Sequence, residues 1–209
     1  MKSLLGILFL SLLAFTPAKK NNYTDLSLIF SGSISISGKS NIRPFSCKAS
    51  TIDKHDTLIV RYMKEDNIYK LENAFLEIDL NGFDCGNPFV DKDFAKLLQK
   101  DKYPTLKIDI KQMTLDELKA DNLSGKADFE IEIAGINKNY EAKFNSSITN
   151  GIGLVEGELE LNISDFNLRP PKKLLGLIKV SEKIQIEFRY FIYESGSVYN
   201  QYNADLKLD

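Results

Sequence analysis

Two cysteines and one histidine are the residues of this chain best suited to chemistry. Cys47 and Cys85 stand 85 − 47 = 38 positions apart. In an oxidising compartment they are expected to pair, and the chain-entropy model values such a link at about 4 kcal/mol at most. Two buried free thiols are the alternative reading. Cys85 sits in an Asp84-Cys85-Gly86 turn, where it could also act as a nucleophile. His55 lies in the polar run Asp53-Lys54-His55-Asp56. One histidine between aspartates suits a solvated turn better than a triad. No cluster of His and Cys has metal-ligand spacing, and no glycine-rich loop could cradle a phosphate. Asp116-Glu117 reads as a solvated connector. The expectation is therefore no catalytic residue, no metal and no cofactor.

The elements around these residues are nearly all strands. Residues 1–18 are set apart from them. Lys2, the apolar run Leu4 to Phe15 and the small residues around Pro17-Ala18 form a secretory signal peptide. No cysteine stands near its end, so no lipoprotein attachment is expected. Export implies a periplasmic or secreted protein. Without Lys2 the charge balance moves from 27 − 29 = −2 to 26 − 29 = −3. A mildly acidic chain without a basic block suits neither nucleic acid nor an anionic membrane surface. No later run is long and apolar enough for membrane insertion.

Period-two alternation recurs along residues 19–193. Ile34 and Ile36 alternate with serines. Ala74, Leu76, Ile78 and Leu80 alternate mostly with acidic residues. Leu106, Ile108 and Ile110 alternate with Lys107, Asp109 and Lys111. Phe129, Ile131 and Ile133, then Leu159 and Leu161, then Ile184, Ile186 and Phe188, repeat the pattern. Phe45–Ile52, Leu58–Met63 and Tyr140–Ile148 alternate less cleanly. Hairpin loops are expected at Ala134–Asn139 and Thr149–Gly151. The reading is an all-β domain of eight or nine antiparallel strands. One helix interrupts them near residues 91–101, capped by Asp91, with Phe94, Leu97 and Leu98 as its apolar stripe and Tyr103-Pro104 as its stop. Hiding one apolar face per strand calls for a barrel or a two-sheet sandwich, and the long late strands favour the barrel. Tyr190, Phe191, Tyr193, Tyr199 and Tyr202 enrich the C-terminal end in aromatics, and residues 194–209 read as a loosely held tail.

Four segments, in order, resemble the YceI-like family of exported, lipocalin-like barrels. Ser37 to Phe45, with Gly38-Lys39-Ser40-Asn41 at its core, resembles its opening strand and turn. Phe83 to Asn87, with Asp91 to Phe94 and Lys102-Tyr103-Pro104, resembles its central helix segment. Gly125 to Gly135 resembles its hairpin. Asp165 to Pro171, then Leu175-Gly176, resembles its late Pro-Pro loop. The resemblance spans about residues 27–193. Phe89 and Val90 stand where methionine is commoner, Asn137 and Lys138 make the hairpin more polar, and the usual early Trp is missing.

The resemblance implies an extended antiparallel barrel with a polyisoprenoid, an isoprenoid quinone or a similar amphiphile in its lumen. It also supports the Cys47–Cys85 pairing. The inward candidates are Ile34, Ile36, Leu76, Ile78, Leu106, Ile108, Phe129, Ile131, Ile133, Phe144, Leu159, Leu161, Ile184, Ile186 and Phe188. Phe94, Leu97 and Leu98 would cover one opening. From the residues alone, the same positions fit ordinary core packing. A ligand-free envelope module with a packed core is the alternative function. Strand edges left unpaired would support a homodimer.

Overall fold

A computed structural model of the protein describes residues 23–50, 57–119, 122–170 and 179–194. The expected signal peptide, His55 and its turn, Leu175-Gly176 and the tail past Glu194 lie outside these residues. Eleven strand segments form: β1 (Thr24–Ser40), β2 (Pro44–Ser50), β3 (Thr57–Glu65), β4 (Ile68–Glu72), β5 (Phe75–Asp79), β6 (Phe83–Asp84), β7 (Thr105–Lys119), β8 (Asn122–Ile133), β9 (Ile136–Thr149), β10 (Ile152–Asn162) and β11 (Val180–Glu194). One helix, α1 (Pro88–Leu97), stands among them.

The ladders run β1–β11–β10–β9–β8–β7–β4–β3 and return to β1, so eight strands close a ring. All the pairings are antiparallel, as hairpin-linked alternating strands require. The fold is the expected barrel with one short helix. Two positions in the ring are each filled by two strands end to end. β3 pairs with the first half of β1 and β2 with its second half. β4 and β5 likewise share one edge of β7. β3 and β4 are laddered, but β2 and β5 are not. The chain from Leu80 to Pro104 fills that seam. It forms a 3₁₀ turn at Leu80–Gly82, lays β6 on β2, and then makes α1.

Local chemistry moves the helix from its expected place. Asn87, not Asp91, caps it: its side-chain oxygen accepts from the backbone N–H of Phe89 and Val90. Pro88 follows at the first helical position, where its missing N–H and fixed φ cost nothing. Asp91 lies in the first turn and accepts from the Cys85 N–H at 2.8 Å. Asp116 and Glu117 are not a connector. They belong to β7, where a bulge between Leu115 and Glu117 leaves Asp116 without a partner in β8. The β8–β9 turn is only Ala134-Gly135, both at positive φ, and Ile136–Asn139 already belong to β9.

Candidate functional site

Directly paired residues share a face, so the register fixes which side chains point into the barrel. Antiparallel order also gives the barrel two ends. The β1–β2 connection, α1, the β8–β9 turn and the segment after β10 lie at one, the helix end. The turns after β3 and β9 lie at the other, the far end.

The helix end is packed. Ile34, Ile36, Ile78, Leu106, Phe129, Ile131, Ile133, Leu159, Leu161 and Ile186 form one buried cluster, with Ile108, Ile184 and Phe188 against it. Phe94 and Leu98 are part of it, and Leu97 packs on it. The Phe83 and Phe94 rings meet at 5.2 Å, which ties α1 to β6. Cys47 is fully buried on β2 and bonded to Cys85, so the disulfide joins the barrel wall to the inserted segment. Of the expected lumen residues, only Leu76 and Phe144 stand outside this cluster.

A second cover is one that periodicity does not reveal. The 3₁₀ turn Ile163–Phe166 places Ile163, Phe166 and Leu168 in the same core. Phe166 is 1% exposed and stacks on Tyr140 at 6.1 Å. The Tyr140 hydroxyl donates to Asp165 at 2.9 Å. Burial, then this carboxylate, holds the phenol well above its usual range. The Asp-Phe pair was legible as part of a loop; its plugging role was not, because a plug has no period.

The far half differs. Leu26, Leu28 and Phe30 of β1 point inward with Leu58, Val60 and Tyr62 of β3. Tyr69 and Leu71 of β4, Met113 and Leu115 of β7 and Leu123 of β8 continue the lining. Phe144, Ser146, Val155, Tyr190 and Ile192 complete it. None belongs to the packed cluster. Val60, Leu115, Phe144, Ser146 and Tyr190 are buried, yet Leu26, Leu28, Phe30, Tyr62, Tyr69, Leu71, Leu123 and Val155 stay partly exposed although they face the lumen. The buried polar groups of this lining are the hydroxyls of Ser146 and Tyr190. At the mouth, the Lys64 ammonium lies 5.3 Å from the centre of the Tyr69 ring.

Glycines shape this wall. Gly32 faces Tyr190, and Gly157 faces Phe188. A Cβ on Gly32 would lie 2.8 Å from the Tyr190 ring, and one on Gly157 would lie 2.3 Å from the Phe188 ring. The rings therefore lie over glycine backbone. A ring laid along the wall takes less of the lumen than one standing across it. Two open grooves, of about 420 and 490 Å³, are lined mostly by serines, asparagines and charges such as Lys48, Glu158 and Arg189, with Leu123, Leu154 and Phe188 among them.

No cluster of metal-ligating side chains occurs among the described residues, and none of their helices is long and apolar enough to cross a membrane. The family model for a YceI-like domain matches residues 29–191. The chain belongs to the YceI-like family. No curated protein matches it. A polyisoprenoid binding domain from Saccharophagus degradans, implicated in plant cell wall breakdown, is 13% identical, covers 81% of this chain and 99% of its own, and superposes with a TM-score of 0.56. BcnA of Burkholderia cenocepacia is 14% identical over 77% of this chain and 95% of its own, with a TM-score of 0.47. The YceI protein of Campylobacter jejuni is 16% identical over 60% and 72%, with a TM-score of 0.47. The likeness to the first is one of fold. This YceI-like chain carries that fold with its helix-end seam stapled by a disulfide.

Proposed function

We propose that the protein is an exported, non-enzymatic carrier that holds one long apolar amphiphile, such as a polyisoprenoid or an isoprenoid quinone, in the far half of its barrel. The observation that carries this reading is a row of lumen-facing apolar side chains left partly exposed, among them Leu28, Phe30, Tyr62 and Leu71. Covering such surface favours binding by about 25 cal/mol per Å², or about 0.8 kcal/mol for each methylene of the ligand. With no buried charge in this lining, and the Ser146 and Tyr190 hydroxyls as its buried polar groups, the wall suits an uncharged chain. The polyisoprenoid-binding description of the Saccharophagus degradans domain supports the same ligand class.

The packed helix half favours a second reading, a ligand-free envelope module whose whole barrel is core. Solvent extraction of the purified protein followed by mass spectrometry separates the two. One isoprenoid or quinone per chain supports the carrier. Repeated absence of any apolar molecule favours the module.

A further inference from the structure

Cations on the barrel wall are paired across the strands: Lys107 with Glu132, Lys126 with Glu141, and Arg189 with Glu156. At the helix end they are not. Exposed Lys39 and Arg43 flank the β1–β2 turn, Lys92 and Lys96 lie on α1, Lys138 follows the β8–β9 turn, and Lys179 precedes β11. None of the six pairs with a carboxylate among the described residues. Of the carboxylates nearby, Asp84, Asp91 and Asp165 are taken up by the Gly86 N–H, the Cys85 N–H and the Tyr140 hydroxyl. Asp93 and Asp101 are the other two. Segments 39–43, 80–104, 134–139 and 163–170, with Lys179, carry 9 − 5 = +4, against −2 for the whole chain. Contacts hold these segments together. The Asn41 side-chain oxygen accepts from the Lys179 N–H at 2.8 Å, which sets the β1–β2 turn beside the start of β11. A Cβ on Gly135 would lie 2.7 Å from the Tyr103 ring, so the turn after α1 lies beside the β8–β9 turn. Two large apolar side chains stand out among the cations, Phe89 at 75% exposed and Ile42 at 65%. Phe89, Lys92 and Lys96 share the solvent face of α1, opposite Phe94 and Leu98.

We propose that this end of the barrel docks on an anionic phospholipid surface. Cations without an internal partner keep their charge for an external anion, and each Lys or Arg near such a surface strengthens binding. Charge alone would suit any polyanion; Phe89 and Ile42 decide for a bilayer. An exposed aromatic among lysines on one helix face suits a helix lying in the membrane interface, its ring toward the acyl chains and its ammonium groups at the headgroups. The chain's net charge and its lack of a basic block argue against such a surface, but these cations come from separate segments that only the fold gathers. The contact is peripheral, because the Phe83–Phe94 rings and the Cys47–Cys85 bond keep α1 on the barrel. Docking by this end leaves the far opening toward solution. The surface is separate from the lumen, so the proposal stands apart from the carrier reading.

Vesicle co-sedimentation of the purified protein tests it. Vesicles of equal parts phosphatidylglycerol and phosphatidylcholine are expected to carry the protein down, and vesicles of phosphatidylcholine alone are not. Raised salt should weaken the binding. Combining Lys92→Glu with Lys96→Glu is expected to weaken it about tenfold or more. Combining Lys48→Glu with Lys143→Glu, the same charge change on exposed wall lysines, should weaken it far less. The chain has no tryptophan, so Phe89→Trp reports on that position alone, and its emission should shift to the blue on the anionic vesicles. Equal binding to both vesicles, binding to neither, equal loss in the two lysine pairs, or a tryptophan emission unmoved on bound vesicles would overturn the proposal.

Discussion

Side chains that look alike in the sequence do different work in the two halves of the barrel. Ile131 is 3% exposed inside the packed cluster, whereas Leu71 faces the lumen partly exposed. Ile131→Ala is expected to cost about 2–5 kcal/mol, because a cavity opens in a filled core. Leu71→Ala should cost less than half as much and weaken ligand binding instead. Urea unfolding read beside a binding titration checks both. The Cys47–Cys85 bond closes a 38-residue separation. Replacing both cysteines by serine is expected to lower stability by up to about 4 kcal/mol. A double mutant with an unchanged urea midpoint would refute that role. Tyr140 carries a pH dependence. Its phenol ionises above the ordinary value of 10.0 in the folded state, so its contribution is complete below about pH 10 and is lost as the pH rises further. Tyr140→Phe should flatten the alkaline fall in stability, measured by thermal melts between pH 8 and pH 12.

The strands were readable because a half-buried sheet writes its period into the sequence. Ile34, Ile36, Ile131 and Leu161 were placed inward by alternation alone, and the register agrees. The far half was harder to read. In β3, Leu58, Val60 and Tyr62 face in, but Ile59 on the outer face breaks the contrast. In β1, Ile29 does the same between Leu28 and Phe30. Apolar side chains on both faces of β1 and β3 thus blurred the period that marks the inner lining. Helix α1 was found, but its start was misplaced, because Asp91 and Asn87 are both good caps and only geometry chose Asn87. Asn87→Ala should cost about 1 kcal/mol. Ala134 offers the opposite test: it holds φ 51° in a turn that favours asparagine or glycine. Ala134→Gly is expected to gain up to about 1 kcal/mol, read as a rise in the urea midpoint.

At the scale of the whole molecule, the barrel is closed all round by ladders except at the β2–β5 seam, which the disulfide-linked helix segment fills. One end is plugged by α1 and by the Ile163–Phe166 turn, and the other retains exposed apolar lining. In the carrier proposed above, the ligand would enter from the far end. The chain has no tryptophan, so a single introduced one reports on its own surroundings. Leu71→Trp places it in the far lumen and Phe83→Trp beside the helix. Each is titrated with a brominated long-chain isoprenoid alcohol, and fluorescence quenching is recorded. Strong, saturable quenching of the tryptophan at 71, with little at 83, is the expected result. Equal quenching at both, stronger quenching at 83, or none at either would contradict a ligand held in the far half of the barrel.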